Sequence, residues 1–476
     1  MNKYKKLAMN TMVFAIGTFG SKILVFLLNR LYTANFSTHQ SGIKSLLFTM
    51  ALFLQPIFTF ALQEYLIRFG LDKNYDKRKV FSTSAVITIV GMIAMAVVVP
   101  LLRVIPALDF LKGYTLLLIV YVTTSSLRML CQQFVRSIDK VKLFSLDGII
   151  ATLTFFIFNV LFIPVLHWGI KGFMLATICS DFLSAVFLFT MGGLKKYTGI
   201  KYFNAKLVRV MMKFAVPLIP TIVMWTITSL SDRLFLKEMH SDYHQLGESA
   251  AGLYDVANVI PGLISMVSTI FFQAWNMSAI TENDSADRDR FYTKVFSAYE
   301  AMMFIAAAGL ILFVKFFCSL IAVTKNYAEY GTVYLYVPVL IVAVVFMCFD
   351  QFLGSIYSAT KHPRNSFWTA FAACAVNIPM NYFLIPVWGI NGAAIATLLS
   401  YLICFWARII DARYYVPFRF NAPKNVLNMA LLLIMSAVMM TEVRFHLLWA
   451  FIIAAVVIVM NFSSLLTTVN KLLKRA

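Results

Sequence analysis

The sequence predicts an all-α polytopic membrane protein of about fourteen transmembrane helices, built as two six-helix lobes with a final helix pair appended. Three observations carry this reading. Of 476 residues, 61% are hydrophobic and 13% charged, with a mean hydropathy of +0.80, which is more apolar than a water-soluble chain of this length. Apolar runs of about 20 residues, the length that crosses a hydrocarbon core, succeed one another along the whole chain. One segment also occurs twice. Asn159, Ile163, Pro164 and Trp168-Gly169-Ile170-Lys171-Gly172 lead to Ala176, Thr177 and Ser180. Asn381, Ile385, Pro386 and Trp388-Gly389-Ile390-Asn391-Gly392 lead to Ala396, Thr397 and Ser400 at the same spacing from Trp onward.

The runs, in order, begin with 8–31. The basic stretch Met1–Lys6 resembles the start of a signal peptide. The apolar run behind it is too long for one, contains Asn10, Lys22 and Arg30, and ends without a small-residue cleavage site, so it reads as a retained first helix. Runs 43–67 (with Pro56), 81–105 and 114–135 follow. Runs 144–166 and 173–194 flank the first copy of the repeat. Run 214–236 opens with Pro217 and Pro220, and run 252–280 contains Pro261. Next come 294–318 and 332–358 (with Pro338). Runs 367–387 (with Pro379) and 394–410 flank the second copy, and 426–442 and 447–466 close the series. Proline in a membrane helix frees a carbonyl and permits a bend. Static kinks and hinges are both open readings, and the seventh helix, with two prolines, is the best hinge candidate.

Six helices separate the copies, so both have one orientation and the lobes are parallel repeats about an axis along the membrane normal, the usual plan of an alternating-access transporter. The expected domains are 1–205, 206–425 and an appended hairpin with its tail at 426–476. The repeated Asn, Pro and Gly are expected to be structural, forming a tight turn, with Trp168 and Trp388 in the interface belt.

Basic residues set the orientation. One series of loops holds Lys3, Lys5, Lys6, Arg68, Lys73, Lys77, Arg78, Lys79, Arg136, Lys140, Lys142 and six more between Lys195 and Lys213. It continues with Arg288, Arg290, Lys294, Lys361, Arg364, Arg408, Arg413, Arg419, Lys424, Lys471, Lys474 and Arg475. The opposite loops hold Lys44, Arg103, Lys112, Lys171, Lys237, Lys325 and Arg444. The ratio is roughly four to one, which puts the first series and both termini in the cytoplasm. The net charge of +20 is therefore mostly loop charge at the inner face and implies no nucleic-acid partner. The opposite loops are short. That excludes a large external catalytic domain and, with it, a polymerase or ligase built on one.

A charge near the bilayer centre costs at least ~2.5 kcal/mol if it faces lipid, so charges inside the spans face protein. The candidates for binding an anionic substrate are Lys22, Arg128, Arg30 and Arg233. Lys22 lies mid-helix behind Gly17, Gly20 and Ser21. Arg128 lies too deep for easy snorkelling. Arg30 and Arg233 end the first and seventh helices in the related triplets Asn29-Arg30-Leu31 and Asp232-Arg233-Leu234. Internal ion pairing, with Glu64 or Asp147 as partner, is the alternative for Lys22 and Arg128. Arg30, Arg233 and Lys315 also have the option of snorkelling outward. Glu64, Asp147, Asp181 and Asp350 are the candidates for ion coupling or internal pairing, with Glu300 also inside a span.

Gln273, Trp275, Asn276 and Ser278 suit either sugar hydroxyls or helix–helix hydrogen bonds. His240 and His244 have metal-ligand spacing, but a solvated loop accounts for them better. The six Cys are scattered in apolar runs and read as packing residues. No phosphate-cradling Gly loop, nucleophile elbow or paired catalytic carboxylate motif is present, so no enzyme activity, cofactor or metal is expected.

The sequence resembles bacterial polysaccharide biosynthesis proteins of the Wzx type. The likeness is carried by Lys5-Lys6-Leu7-Ala8-Met9-Asn10-Thr11, Phe14–Lys22, Gln63-Glu64-Tyr65 with Arg68-Phe69, and Ser231-Asp232-Arg233. Gly252-Leu253-Tyr254 with Val256-Ala257-Asn258, Ile260-Pro261, Gln273-Ala274-Trp275, Ser278-Ala279-Ile280 and the doubled Trp-Gly-Ile-x-Gly add to it. That family shares a superfamily with MATE-type multidrug exporters and lipid II flippases. The resemblance implies a V-shaped two-lobe transporter in the bacterial inner membrane. Its substrate would be an undecaprenyl-pyrophosphate-linked oligosaccharide, moved to the outer leaflet for surface polysaccharide such as O-antigen. Lipid II flippases carry a Ser-Arg and then an Arg-Asp pair on the first helix. Ser21-Lys22 matches the first, whereas Leu28-Asn29 stands in the place of the second and Arg30 falls one position late. Many members have twelve helices, and the final pair here departs from that. Coupling to H+ or Na+, or no coupling ion, is left open. A polysaccharide polymerase and chain-length proteins are the implied partners. A MATE-type drug or cation exporter, and a non-catalytic membrane partner of a polysaccharide assembly complex, are the rival readings.

Overall fold

A computed structural model describes residues 24, 26–72, 74–281, 287–325, 327–360 and 362–473. These residues are almost entirely helical, with no β-strand among them. They fall into two compact units, one within Ile23–Leu234 and one within Phe235–Ala476.

In the first unit, helix α1 covers 26–35 and α2 (Thr38–Phe58) starts at a capping box. There Ser37 accepts from the Gln40 backbone N–H and the Gln40 side chain accepts from the Ser37 N–H, which satisfies two of the free donors of a helix start. The predicted run 43–67 is not one helix. Pro56 precedes a break at Phe60 and Ala61, both with left-handed backbone, and α3 (Leu62–Leu71) resumes beyond it. Gly91 of α4 (Lys77–Leu101) lies so close that a Cβ would stand 1.7 Å from the Phe58 carbonyl oxygen. Helices α5 (Thr115–Ser137), α6 (Val141–Val160) and α7 (Gly169–Met191) pack on one another. The seventh predicted run starts earlier than its hydropathy indicated. Helix α8 (Ala205–Ala215) leads through a 3-10 turn at Val216–Leu218 into α9 (Ile219–Glu238), with Pro217 and Pro220 at that junction. Two apolar clusters hold the unit. One is centred on Phe36, Leu46, Met95, Leu118 and Met174. The other is centred on Tyr65, Phe81, Phe134, Leu188 and Met211.

In the second unit, α10 (Glu248–Ala257) and α11 (Pro261–Thr281) occupy the run expected over 252–280. They bend by 48° at Pro261, where proline cannot donate to the preceding turn. Then follow α12 (Arg288–Leu312), α13 (Val314–Ile321), α14 (Val337–Ala359), α15 (Pro363–Tyr415), α16 (Ala422–Thr441) and α17 (His446–Leu473). The two predicted runs 367–387 and 394–410 are joined in the 53-residue α15, kinked at Gly389. The core is a stack of rings: Trp275 lies 4.5 Å from Phe352 and Phe271 lies 4.6 Å from Tyr299, centroid to centroid. Among the described residues, ten helices are long and apolar enough to cross a membrane, or eleven with the bent pair, and His446–Phe462 is a shorter apolar helix.

The two repeat copies are locally alike. Asn159 and Asn381 are fully buried and Trp168 and Trp388 half-exposed. Gly169 and Gly389 both take positive φ, +54° and +55°, a backbone that glycine adopts at little cost. Gly172 and Gly392 then bring each turn against the chain that enters it, facing the carbonyls of Phe162 and Leu384. Asn159 donates to the Phe155 carbonyl and accepts from Tyr32, whereas Asn381 donates to Asn377. The loop after α9 docks on the second copy: Ser241 donates to the Pro386 carbonyl and His244 Nε2 lies 3.0 Å from the Val387 oxygen.

Candidate functional site

The first unit concentrates its buried polar chemistry on three neighbouring helices. Ser125, Arg128 and Gln132 are spaced i, i+3, i+7 on α5 and so share one face. Asp181 and Ser184 share a face of α7, and Asp147 comes from α6. Arg128 Nη1 lies 2.8 Å from Asp181 Oδ1 and its Nη2 3.6 Å from Asp147 Oδ2. Ser125 donates to Asp181, Ser184 donates to Asp147, and Gln132 Nε2 donates to Asp147 at 3.2 Å. The Asp147 side chain is wholly buried and that of Asp181 nearly so, but a quarter of the Arg128 side chain is exposed. The set carries two carboxylates to one guanidinium, and charges this deep persist only when paired and hydrogen-bonded. Of the readings open for Arg128, the geometry is that of an internal ion pair, closest to Asp181 and extended to Asp147.

The other basic candidates are placed as follows. Arg233, on α9, donates through Nε to Ser45 Oγ at 2.7 Å and through Nη1 to the Ser229 carbonyl at 2.8 Å. Arg30, on α1, is exposed. Lys22 lies outside the described residues, as does the Glu64 side chain. Lys44, assigned by sequence to an outer loop, is instead buried within α2. Its Nζ stands 4.7 Å from the Tyr32 ring centre and 5.9 Å from that of Phe173, within range of cation–π attraction. Its position at the edge of an apolar run hid it.

In the second unit the roles differ. Asp350 of α14 is buried beside Arg408 and Cys404. Arg408, counted among the basic loop residues by sequence, is only 3% exposed. It donates through Nη1 to the Asp350 carbonyl at 2.5 Å and through Nε to Thr369 Oγ1 at 3.0 Å. Helix α15 runs on to Tyr415, past the end of the predicted run at 410, and so places Arg408 within the helix instead of in a loop. Trp275 is fully buried and donates to Ser355 Oγ at 2.8 Å, so it serves the core instead of a sugar surface. The side chains of Gln273, Asn276 and Ser278 lie outside the described residues. His240 is exposed and 3.6 Å from Asp242, and no cluster of metal-ligating side chains occurs among the described residues.

The final helices are tied in by amides that sequence reasoning did not single out. Asn425 of α16 donates to Glu300 of α12 at 2.6 Å, and Asn461 of α17 donates to Asn428 of α16 at 2.7 Å. All four residues are at most 5% exposed. Asparagines inside apolar runs were the available signal.

Residues 7–276, more than half of the chain, match the family described as polysaccharide biosynthesis protein. No curated protein matches the sequence. Among solved structures, the lipid II flippase MurJ in an inward closed conformation is similar, with a TM-score of 0.72 at 15% identity over 96% of this chain and 99% of that one. An inward-facing multidrug resistance MATE family transporter of the MOP superfamily gives a TM-score of 0.69 at 12% identity, over 87% and 99%. A MOP superfamily transporter from Pyrococcus furiosus, described as having a binding pocket of reverse polarity, gives 0.56 at 13%, over 87% and 97%. At these identities the likeness is one of fold.

Proposed function

Because this chain belongs to the polysaccharide biosynthesis protein family, we propose that it is a flippase that carries an undecaprenyl-pyrophosphate-linked oligosaccharide from the cytoplasmic to the outer leaflet of a bacterial membrane by alternating access. The family match on a fold shared over nearly its full length with a lipid II flippase is the observation that carries this reading. Lys22, Arg30 and Arg233 are assigned to the pyrophosphate, whose charge a cation meets most strongly where water is scarce. Arg128 is assigned a shared role. While Asp147 and Asp181 are ionised they hold its guanidinium. Neutralising one of them with H+ or Na+ would release Arg128 toward an anion, which couples ion entry to substrate binding. Asp350, bound up with Arg408, is assigned to structure, and Glu64 remains a coupling candidate. Flipping makes and breaks no covalent bond, in keeping with a sequence that holds no catalytic set. A polymerase and chain-length proteins of the same pathway are the expected partners.

The test is surface display of polysaccharide in a strain lacking its own flippase. Restored display, with Lys22→Ala losing more than Lys22→Arg at equal expression, is the expected result. Failure to restore display, with export of cationic drugs in its place, would favour the multidrug-transporter reading.

A further inference from the structure

A second site lies in the Phe235–Ala476 unit, where the substrate assignment places nothing. Thr293, Phe296, Ser297 and Glu300 follow the i, i+3, i+4, i+7 spacing of one face of α12. With Arg419, Phe420, Asn421, Pro423 and Lys424 they line a cavity of about 440 Å³, within the size range of small-molecule pockets. The opposite wall is the turn into α16, pinned where the Arg419 N–H donates to Thr293 Oγ1 at 2.9 Å and where Asn421 caps α16 through the Lys424 N–H. The charges are ordered by depth. Arg419, exposed, and Lys424, half-buried, stand at the mouth on the basic-loop face. Glu300 is 5% exposed and sits two turns inward from Thr293, roughly 10 Å along the helix axis. One of its carboxylate oxygens accepts from Asn425, and the residue lines the cavity. Phe296 and Phe420 supply apolar walls beside the polar ones.

A mouth with two cations and the Ser297 hydroxyl recognises a phosphate, the Thr293 hydroxyl being taken up by the Asp289 carbonyl and the Arg419 N–H. A carboxylate at the inner end recognises a compact cation that donates hydrogen bonds. We propose that this cavity binds a phosphate joined by a short linker to a primary ammonium, the chemistry of a phosphoethanolamine headgroup, with phosphate at Arg419 and Lys424 and the ammonium at Glu300. The same chemistry comes from a phospholipid of the leaflet on the basic-loop side or from a soluble aminophosphate. Bound there, it bridges α12 to α16 and so controls how the last two helices are held.

The test uses the full chain in nanodiscs of phosphatidylethanolamine with phosphatidylglycerol, or phosphatidylcholine with phosphatidylglycerol, read by thermal unfolding and by native mass spectrometry of retained lipid. Phosphatidylethanolamine is expected to be retained at least about fivefold better than phosphatidylcholine, since a quaternary ammonium donates no hydrogen bond to Glu300. Glu300→Gln, which keeps an acceptor for Asn425, should erase that preference while leaving lipid binding. Arg419→Ala with Lys424→Ala should weaken retention of both lipids. O-phosphoethanolamine added to detergent-solubilised protein separates the sources: protection equal to that by the lipid assigns the site to soluble ligands, and protection by the lipid alone assigns it to the membrane. Equal retention of the two lipids by the parent protein, or equal protection by inorganic phosphate and O-phosphoethanolamine, would overturn the proposal.

Discussion

In the Ile23–Leu234 unit the cation of the polar cluster is the half-buried Arg128 on α5, and its carboxylates come from α6 and α7, on either side of the first repeat copy. In the Phe235–Ala476 unit the order is reversed. Asp350 is on α14, ahead of the second copy, and Arg408, which donates to the Asp350 backbone carbonyl, follows it in α15. The turns themselves match, down to positive φ at Gly169 and Gly389. The repeat has thus kept what shapes the backbone and let the polar chemistry diverge. Arg128 keeps a quarter of its side chain exposed and two carboxylates within reach, an arrangement that an ion or a substrate can alter. Arg408 is spent on a carbonyl and a hydroxyl inside a closed interior, which favours one fixed packing.

The comparison predicts a graded response. Arg408→Ala should be the most damaging single change, because it strips the Asp350 carbonyl and the Thr369 hydroxyl of a buried charged donor and empties the space of a side chain only 3% exposed; about 3–5 kcal/mol is expected. Arg128→Ala should cost less, roughly 2–3 kcal/mol, because the partly exposed guanidinium is screened and Ser125, Gln132 and Ser184 still serve the acids. Thermal unfolding of purified protein ranks the two, and the reverse order would break the distinction. Adding Asp181→Asn to Arg128→Ala should recover part of the loss, whereas no recovery would mean the pair is incidental.

The repeat turns sharpen the comparison at smaller scale. A Cβ on Gly392 would stand 2.3 Å from the Leu384 oxygen, but on Gly172 it would stand 3.0 Å from the Phe162 oxygen. Gly392→Ala should therefore cost about 1–3 kcal/mol and Gly172→Ala less than about 1 kcal/mol. Equal midpoints would show that both turns relax alike.

The smallest effect is at the surface. Lys315 lies 2.7 Å from Glu442, which also accepts from Tyr334. Lys315, and then Tyr334, hold the Glu442 carboxyl below its ordinary value of 4.5. A depressed carboxylate contributes stability that is present above the ordinary value and is lost as pH falls through the lower, folded one. Lys315→Ala should change the unfolding midpoint slightly at neutral pH and not at all once Glu442 is protonated. A difference that persists in acid would assign the effect to packing.

The helical class and the doubled turn were legible in the sequence because hydropathy and the Trp-Gly-Ile-x-Gly spacing are local. Asp147, Asp181 and Arg128 were legible too, since a charge in an apolar run is conspicuous. Pairing of Arg128 with Asp147 was one of the open readings, but the part played by Asp181 was not, because it depends on which faces of α5, α6 and α7 meet. Lys44 and Arg408 fall just inside the ends of their apolar runs and were misread as loop residues because a charge near the end of a run was counted with the adjoining loop. The break at Phe60 and Ala61 had only Pro56 as its sign, and the bend between α10 and α11 only Pro261. The asparagine ties of α16 and α17 rest on pairings between distant segments that no local pattern encodes.

The ion set of Arg128, Asp147 and Asp181 is assigned to transport and the buried Asp350 and Arg408 to structure. Surface polysaccharide display by Asp181→Asn and Asp350→Asn, compared at matched expression and thermal stability in a strain lacking its flippase, tests this assignment most directly. Display is expected to fall at least about tenfold in Asp181→Asn, a barrier change of about 1.4 kcal/mol or more, and to stay near parental in Asp350→Asn. Parental display by Asp181→Asn, or loss of display confined to Asp350→Asn, would contradict the assignment.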